Sequence, residues 1–365
     1  MLVACVNQDP GIMPTSRKGA AVHVESMRRA FRAVGARVAE LDEKDEAALD
    51  ARLTALLSGR TGPALVYERY ALGCVTASRV AARHERPHVL EVNAPLIEEA
   101  ARYRTSVDAD RLRGLEHEVF DRARAIIAVS QAVAESVFAH GLPAERVLVR
   151  PNAVDTALFR AVGRPSLPPG VTIAPTDFVL GFHGRLRPWH GFPRLVGAFR
   201  RLLEKRLPVH LLLVGEGDWE QGLRDDASTG AAPLAPGCVT VLGWRPQEEL
   251  AAIVARFDAL ALAYDGDAPC YFSPLKLLEA MAVGAVPVVP ALGDLPRIVR
   301  HDESGLVYAP GDEVALAAQI ERLVRTPALR VRLGITAARE ARSRSWTAIA
   351  RDVLAVVATP AAGRP

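Results

Sequence analysis

Between residues 267 and 290 the chain reads DAPCYFSPLKLLEAMAVGAVPVVP. Pro269, Ser273 and Pro274 mark a loop. Leu275, Leu278 and Ala282 fall on one face of a helix, and Gly284 is placed to stop it. Residues 286–289 then form a short apolar run of the kind a fully buried strand uses. A loop that ends on a helix N-terminus offers unpaired backbone N–H groups and the positive end of the helix dipole, which suits an anion such as a diphosphate. Glu279, one turn further in, suits sugar hydroxyls as an acceptor. Lys276, one of four lysines in an arginine-rich chain, adds positive charge nearby. An ordinary helix with both side chains on a solvated face fits the local pattern as well, so the rest of the chain must decide.

The elements around this stretch alternate. Residues 2–6 read as a buried strand, a Gly-containing loop follows, residues 21–34 form an amphipathic helix, and residues 38–41 a second strand. That is the βαβ unit of a doubly wound sheet, whose ligands sit beyond the carboxyl ends of the strands. The alternation continues with strands at 64–68, 88–92 and 125–129 and helices at 46–57, 71–83, 109–123 and 131–140. A Pro- and Gly-rich stretch without periodicity interrupts it, and a second series of the same kind runs from residue 178. The organisation expected is a first α/β domain at 1–162, a linker at 163–176 and a second α/β domain at 177–343. A helix at 344–358 crosses back to the first domain, and a tail follows at 359–365. Two such domains facing each other make a cleft for a ligand.

Composition narrows the function. The net charge of +3 over 365 residues does not indicate nucleic acid. Cys5, Cys74, Cys238 and Cys270 are scattered without metal-ligand spacing and read as reduced thiols. The chain starts on a strand pattern, with no basic leader and no apolar run long enough to span a bilayer. A cytoplasmic protein with at most peripheral membrane contact is expected. The arginine- and alanine-rich composition suggests a bacterial source.

Five pieces then stand in order: KGAAVHV at 18–24, VRPNAVDTALF at 149–159, FHGRLRPWHG at 182–191, LLLVGEGD at 211–218 and FSPLKLLEAMAVGAVPVV at 272–289. With them the chain resembles the GT-B fold glycosyltransferases, and is most similar to family 4, over nearly its whole length. The resemblance implies two Rossmann-like, doubly wound domains facing a central cleft, the first binding an acceptor and the second a nucleotide sugar. It implies a retaining transferase moving a sugar from a nucleotide diphosphate sugar, UDP-sugar favoured, to a hydroxyl of a glycan or small molecule. The donor is a co-substrate, and neither cofactor nor metal is required.

Residue by residue, Arg185 matches the arginine that neutralises the diphosphate, and Glu279 the glutamate that holds the ribose. The backbone of Phe272, Ser273 and Leu275 lies where the family cradles diphosphate and sugar. Gly19, Gly184 and Gly215 approach the donor, the backbone of Arg245 reads the base, and Lys276 assists. Arg185, His190 and Asn93 are the expected catalytic groups, with a protonated His190 stabilising the departing diphosphate. Glu91, Asn93, Glu98 and Tyr103 line the expected acceptor site. The chain departs from the pattern at Tyr271, where a second glutamate is usual, at His190, where lysine is usual, and at Asn93, where histidine is usual. Tyr271 is still expected at the donor. Two alternatives use the same architecture: a nucleotide-sugar epimerase, which would turn over without an acceptor, and a non-catalytic nucleotide-sugar-binding subunit.

Overall fold

Strand β1 (Leu2–Asn7) is buried at every position, as a parallel strand covered on both faces must be. In the computed structural model, which describes residues 1–13, 18–103, 108–160, 163, 165–219, 221–223, 234, 237–264, 266, 270–271 and 273–358, β1 pairs in parallel with β2 (Arg37–Leu41) and β3 (Ala64–Arg69). Strands β4 (His88–Val92), β5 (Ala125–Ala128) and β6 (Val147–Val149) extend the sheet in the order β2-β1-β3-β4-β5-β6. The connecting helices are α1 (Gly19–Ala33), α2 (Glu46–Leu57), α3 (Thr76–Arg83), α4 (Leu96–Tyr103), α5 (Ala109–Arg122) and α6 (Gln131–Phe138). Side chains cap α2, α5 and α6: Asp45 accepts from the Ala48 N–H at 2.8 Å, Asp108 from Arg111 at 3.1 Å and Ser130 from Val133 at 3.1 Å. Helix α3 starts later than the expected residue 71. Gly73, at φ +77°, turns the chain, and the Cys74 N–H bonds back to the Ala71 carbonyl at 3.1 Å.

The second sheet has the order β12-β11-β10-β7-β8-β9. Its strands are β7 (Phe178–His183), β8 (Val209–Val214), β9 (Val239–Leu242), β10 (Ala259–Ala261), β11 (Val286–Pro290) and β12 (Leu306–Tyr308), all paired in parallel. The helices are α7 (Phe192–Glu204), α8 (Gln247–Val254), α9 (Leu275–Val283), α10 (Leu295–Ile298), α11 (Glu313–Arg325), α12 (Pro327–Arg342) and α13 (Trp346–Ala358). The stretch read first from the sequence is loop, α9 and β11, and Gly284 closes α9 at φ +89°.

The chain divides into two compact units. The first holds Met1–Asn152, Tyr271, Ser273 and α13; the second holds Ala153–Cys270 and Pro274–Ser345. The division falls at Asn152, before the expected boundary at 162. Within the expected linker, Ile173 is buried and the Pro165 carbonyl accepts from Arg256 at 3.0 Å. In the first unit α13 buries Trp346, Ile349, Ala350 and Val353, and the Trp346 ring stands edge-on to His23 of α1 at 4.8 Å. Among the described residues no helix is long and apolar enough to cross a membrane.

Candidate functional site

In the second sheet the connection from β7 runs to β8 on one side, and the connection from β10 runs to β11 on the other. The carboxyl ends of β7 and β10 therefore flank a topological switch point, where open α/β sheets bind ligands. Two glycines let the loops there approach closely. A Cβ on Gly191 would stand 1.7 Å from the Ala263 carbonyl oxygen, and one on Gly215 would stand 2.3 Å from the Gly184 oxygen. Both residues have positive φ. Helix α9 begins at Leu275, half-buried, behind Pro274, and no side chain caps it. The Leu277 N–H turns back to the Pro274 carbonyl at 3.1 Å, which leaves the first two N–H groups, of Leu275 and Lys276, for a ligand.

Lys276 reaches from α9 to these loops. Its Nζ lies 3.4 Å from His190 Nε2 and 4.1 Å from the centroid of the Phe182 ring, and a Cβ on Gly184 would stand 3.5 Å from it. Burial pushes Lys276 down to about 7, against the pull of the Glu279 carboxylate. Glu279, itself buried, is pushed up to about 7 by the same desolvation, with Lys276 opposing. His183 stands beside it, Nε2 3.6 Å from Glu279 Oε2, and donates to the Lys276 carbonyl at 3.3 Å. Burial, then the Lys276 charge, hold His183 down at about 3, so its ring is neutral.

His190 corrects an expectation. Burial, followed by the Lys276 and Arg187 charges, pushes it down to about 2. Its ring stacks on Tyr264 at 5.6 Å, stands edge-on to Phe182 at 5.3 Å, and accepts the Arg187 N–H at Nδ1 over 3.1 Å. His190 is neutral, and the group that can supply positive charge in this place is Lys276. Arg185, on the same loop as Gly184, is exposed and has no hydrogen-bond or ion-pair partner among the described residues.

Gly184, Arg185, His190, Gly215, Lys276 and Glu279 are thus gathered around the end of β7. Arg245 is not among them. It stands beyond β9, the edge strand, and its side chain is used locally, donating to the Trp244 carbonyl at 3.1 Å and lying 3.8 Å from Glu249. Phe272 lies outside the described residues. Tyr271 is a second correction. It packs in the core of the first unit with Tyr70, Val92 and Val133. Its hydroxyl donates to Glu99 at 2.9 Å, and its carbonyl accepts from Ser130 Oγ at 2.8 Å. A phenol has the apolar area for that core, which a glutamate lacks. Ser273 is also held there: its Oγ accepts the Asn152 N–H at 2.8 Å and its carbonyl the Asn152 amide at 2.6 Å.

The first unit gathers a different group at the ends of β3 and β4. Glu91 is buried, yet its carboxyl is held at about 2. Burial works against ionisation, but His23 at 2.6 Å, Arg69 at 3.4 Å and the Tyr67 hydroxyl outweigh it. Asn93 donates to the same carboxylate. Glu98 is exposed on α4, the Tyr103 side chain lies outside the described residues, and Gly19 opens α1. Sequence reasoning missed His23, Tyr67 and Arg69 as partners of Glu91. The signal was present, since a glutamate inside a buried strand demands charge or hydrogen-bond partners. It also missed Gln8, which is buried just past β1 with neither amide atom hydrogen bonded among the described residues. Among those residues no three His, Cys, Asp or Glu gather as a metal-holding group.

Comparison with known proteins agrees with this architecture. Residues 177–326 match the family model described as Glycosyl transferases group 1, and residues 44–158 the model Glycosyltransferase Family 4. A D-inositol 3-phosphate glycosyltransferase of Pseudarthrobacter chlorophenolicus is 30% identical over 255 residues, covering 66% of this chain and 56% of that protein. The amylovoran biosynthesis glycosyltransferase AmsK of Erwinia amylovora is 28% identical over 209 residues, covering 56% and 48%. The chain spans about half the length of these curated relatives. Among solved structures, Anabaena Alr3699/HepE in complex with UDP and glucose superposes with a TM-score of 0.72 at 20% identity, over 98% of this chain and 99% of that one. With one glycosyltransferase model on each unit and two parallel sheets of GT-B type, the chain belongs to the family 4 glycosyltransferases of GT-B fold.

Proposed function

We propose that this chain is a retaining glycosyltransferase that moves a sugar from a nucleotide diphosphate sugar, UDP-sugar favoured, to a hydroxyl of a glycan or small-molecule acceptor. The observation that carries the reading is the meeting of Lys276, Glu279 and the Gly184–Arg185 loop at the uncapped start of α9. The diphosphate takes the open N–H groups, with Arg185 and Lys276 supplying the charge that a departing diphosphate needs. Glu279 accepts from the ribose hydroxyls. His190 holds Lys276 in place before the donor binds, and its own ring stays neutral. The sugar leaves through an oxocarbenium-like state, and the departing phosphate takes the acceptor's proton on the same face. UDP in the Anabaena structure supports the choice of nucleotide. The acceptor lies against the first unit, where Gln8 offers unpaired amide atoms and Asn93 stands at the end of β4.

The test is a thermal-shift series with UDP, GDP, ADP and their sugars, followed by transfer to a panel of acceptors. UDP and one UDP-sugar should raise the midpoint, and transfer should persist in excess EDTA because Arg185 and Lys276 meet the leaving charge. A protein that no nucleotide sugar stabilises, or that converts the donor with no acceptor present, would overturn the reading.

A further inference from the structure

His190 and Lys276 cannot both be in their usual protonation states. Nδ1 of His190 accepts the Arg187 N–H at 3.1 Å. An uncharged imidazole that accepts at Nδ1 carries its proton on Nε2. That N–H faces Lys276 Nζ at 3.4 Å. An ammonium has no lone pair, so two donors would confront each other; the contact becomes a hydrogen bond only if Nζ is a free amine.

The other groups around Nζ fit this account. From β7 the Phe182 ring presents its face at 4.1 Å, which favours a cation weakly. From the same strand His183 donates to the Lys276 carbonyl and brings no charge. From the loop after β7 come the Gly184 backbone and, acting through His190, the Arg187 charge. On α9 itself the one ionisable neighbour acting on Lys276 is Glu279. Burial outweighs the attraction of Glu279 and Phe182 and favours the amine.

We infer that Lys276 rests as an uncharged amine hydrogen-bonded to His190, and that it takes up a proton when a nucleotide diphosphate enters the site. The proton comes from solvent and adds to the Nζ lone pair, while His190 keeps its Nε2 proton. The new ammonium turns from the imidazole to the diphosphate oxygens. The site thus acquires part of its positive charge in response to the anion. This rests on the reading of the loop and α9 as a diphosphate site.

Two measurements on the full chain test it. With lysine carrying ¹³C at Cε, the four lysines give few signals, and Lys276→Met assigns the relevant one. In the unliganded protein that signal should titrate near neutrality, and saturating UDP should move its midpoint up by about two pH units or more. Calorimetry of UDP binding at about pH 8, in buffers of different ionisation enthalpy, should report uptake of about one proton, because Glu279 is already ionised there. At about pH 6 Lys276 already carries its proton, so the uptake should vanish and give way to release from Glu279, and Lys276→Arg should bind UDP with no uptake at either pH. A Lys276 that titrates with the other three lysines while UDP still binds overturns this inference and leaves the proposed function standing. A Lys276 that titrates near neutrality in a protein that does not bind UDP overturns the coupling together with the proposed function.

Discussion

Glu279 lies in the second turn of α9, and its carboxyl is pushed up to about 7 by burial. Between its ordinary 4.5 and that value the folded chain holds a proton the unfolded chain has lost. Its contribution to stability therefore falls as pH rises through this window, and the cost is fully present above about 7. Lys276 behaves oppositely: between about 7 and 10.5 the unfolded chain holds the extra proton, so stability rises with pH there. Glu279→Gln should accordingly raise the melting midpoint of the unliganded protein at pH 8 and leave it nearly unchanged at pH 5. The same variant should weaken UDP binding by about tenfold or more, the worth of a hydrogen bond to a charged group. Thermal melts at the two pH values with and without UDP check both halves; a variant destabilised at pH 8 would refute the account. Lys276 and Glu279 are legible in the sequence because a short helix fixes their spacing, and Arg185 because its loop resembles that of the family. The charge on His190 is not, because it depends on Phe182, Tyr264 and Arg187, which only the folded chain brings together.

At the scale of elements, loop and helix ends are set by backbone proximity. Gly191 and Gly35 both have positive φ, but only Gly191 is crowded: a Cβ there would stand 1.7 Å from the Ala263 oxygen, whereas Gly35 meets nothing within 4 Å. Gly35→Ala should cost about 1–2 kcal/mol, the strain of the left-handed conformation alone. Gly191→Ala should cost clearly more and abolish UDP binding, since the 184–191 loop must shift off the Ala263 segment that follows β10. Denaturant melts of the two variants make the comparison, and equal losses would show that the close approach of loop and strand does not matter. Buried parallel strands such as β1 and β7 are plain in the sequence as unbroken apolar runs, and α9 is plain from Leu275 to its glycine stop. Helix α3 is overextended by the same reasoning, since the apolar residues before Gly73 read as a helical face and are spent on a turn. Tyr271 misleads for a related reason: its place in the sequence points to the donor, and its bulk takes it into another core.

At the scale of the whole molecule, α13 closes the first unit although it comes last in the chain. Its Trp346 is buried, edge-on to His23, and His23 is the partner of Glu91 at 2.6 Å. Meanwhile Arg150 of the first unit pairs with Asp352 of α13 at 2.6 Å. The ion pair is half exposed and contributes little; the buried tryptophan stabilises the unit far more. Trp346→Ala should cost about 3–5 kcal/mol, transfer and cavity together, and should loosen the ring that steadies His23. The group at the end of β7 belongs to the other unit, so UDP should still bind to the surviving folded protein with nearly unchanged affinity. Asp352→Asn, by contrast, should shift the melting midpoint little. If Trp346→Ala melted like the parent, α13 would not be the wall of the first core; if it melted early and also lost UDP, the donor group would depend on the first unit through more than the Tyr271 and Ser273 stretch that the two share along the chain.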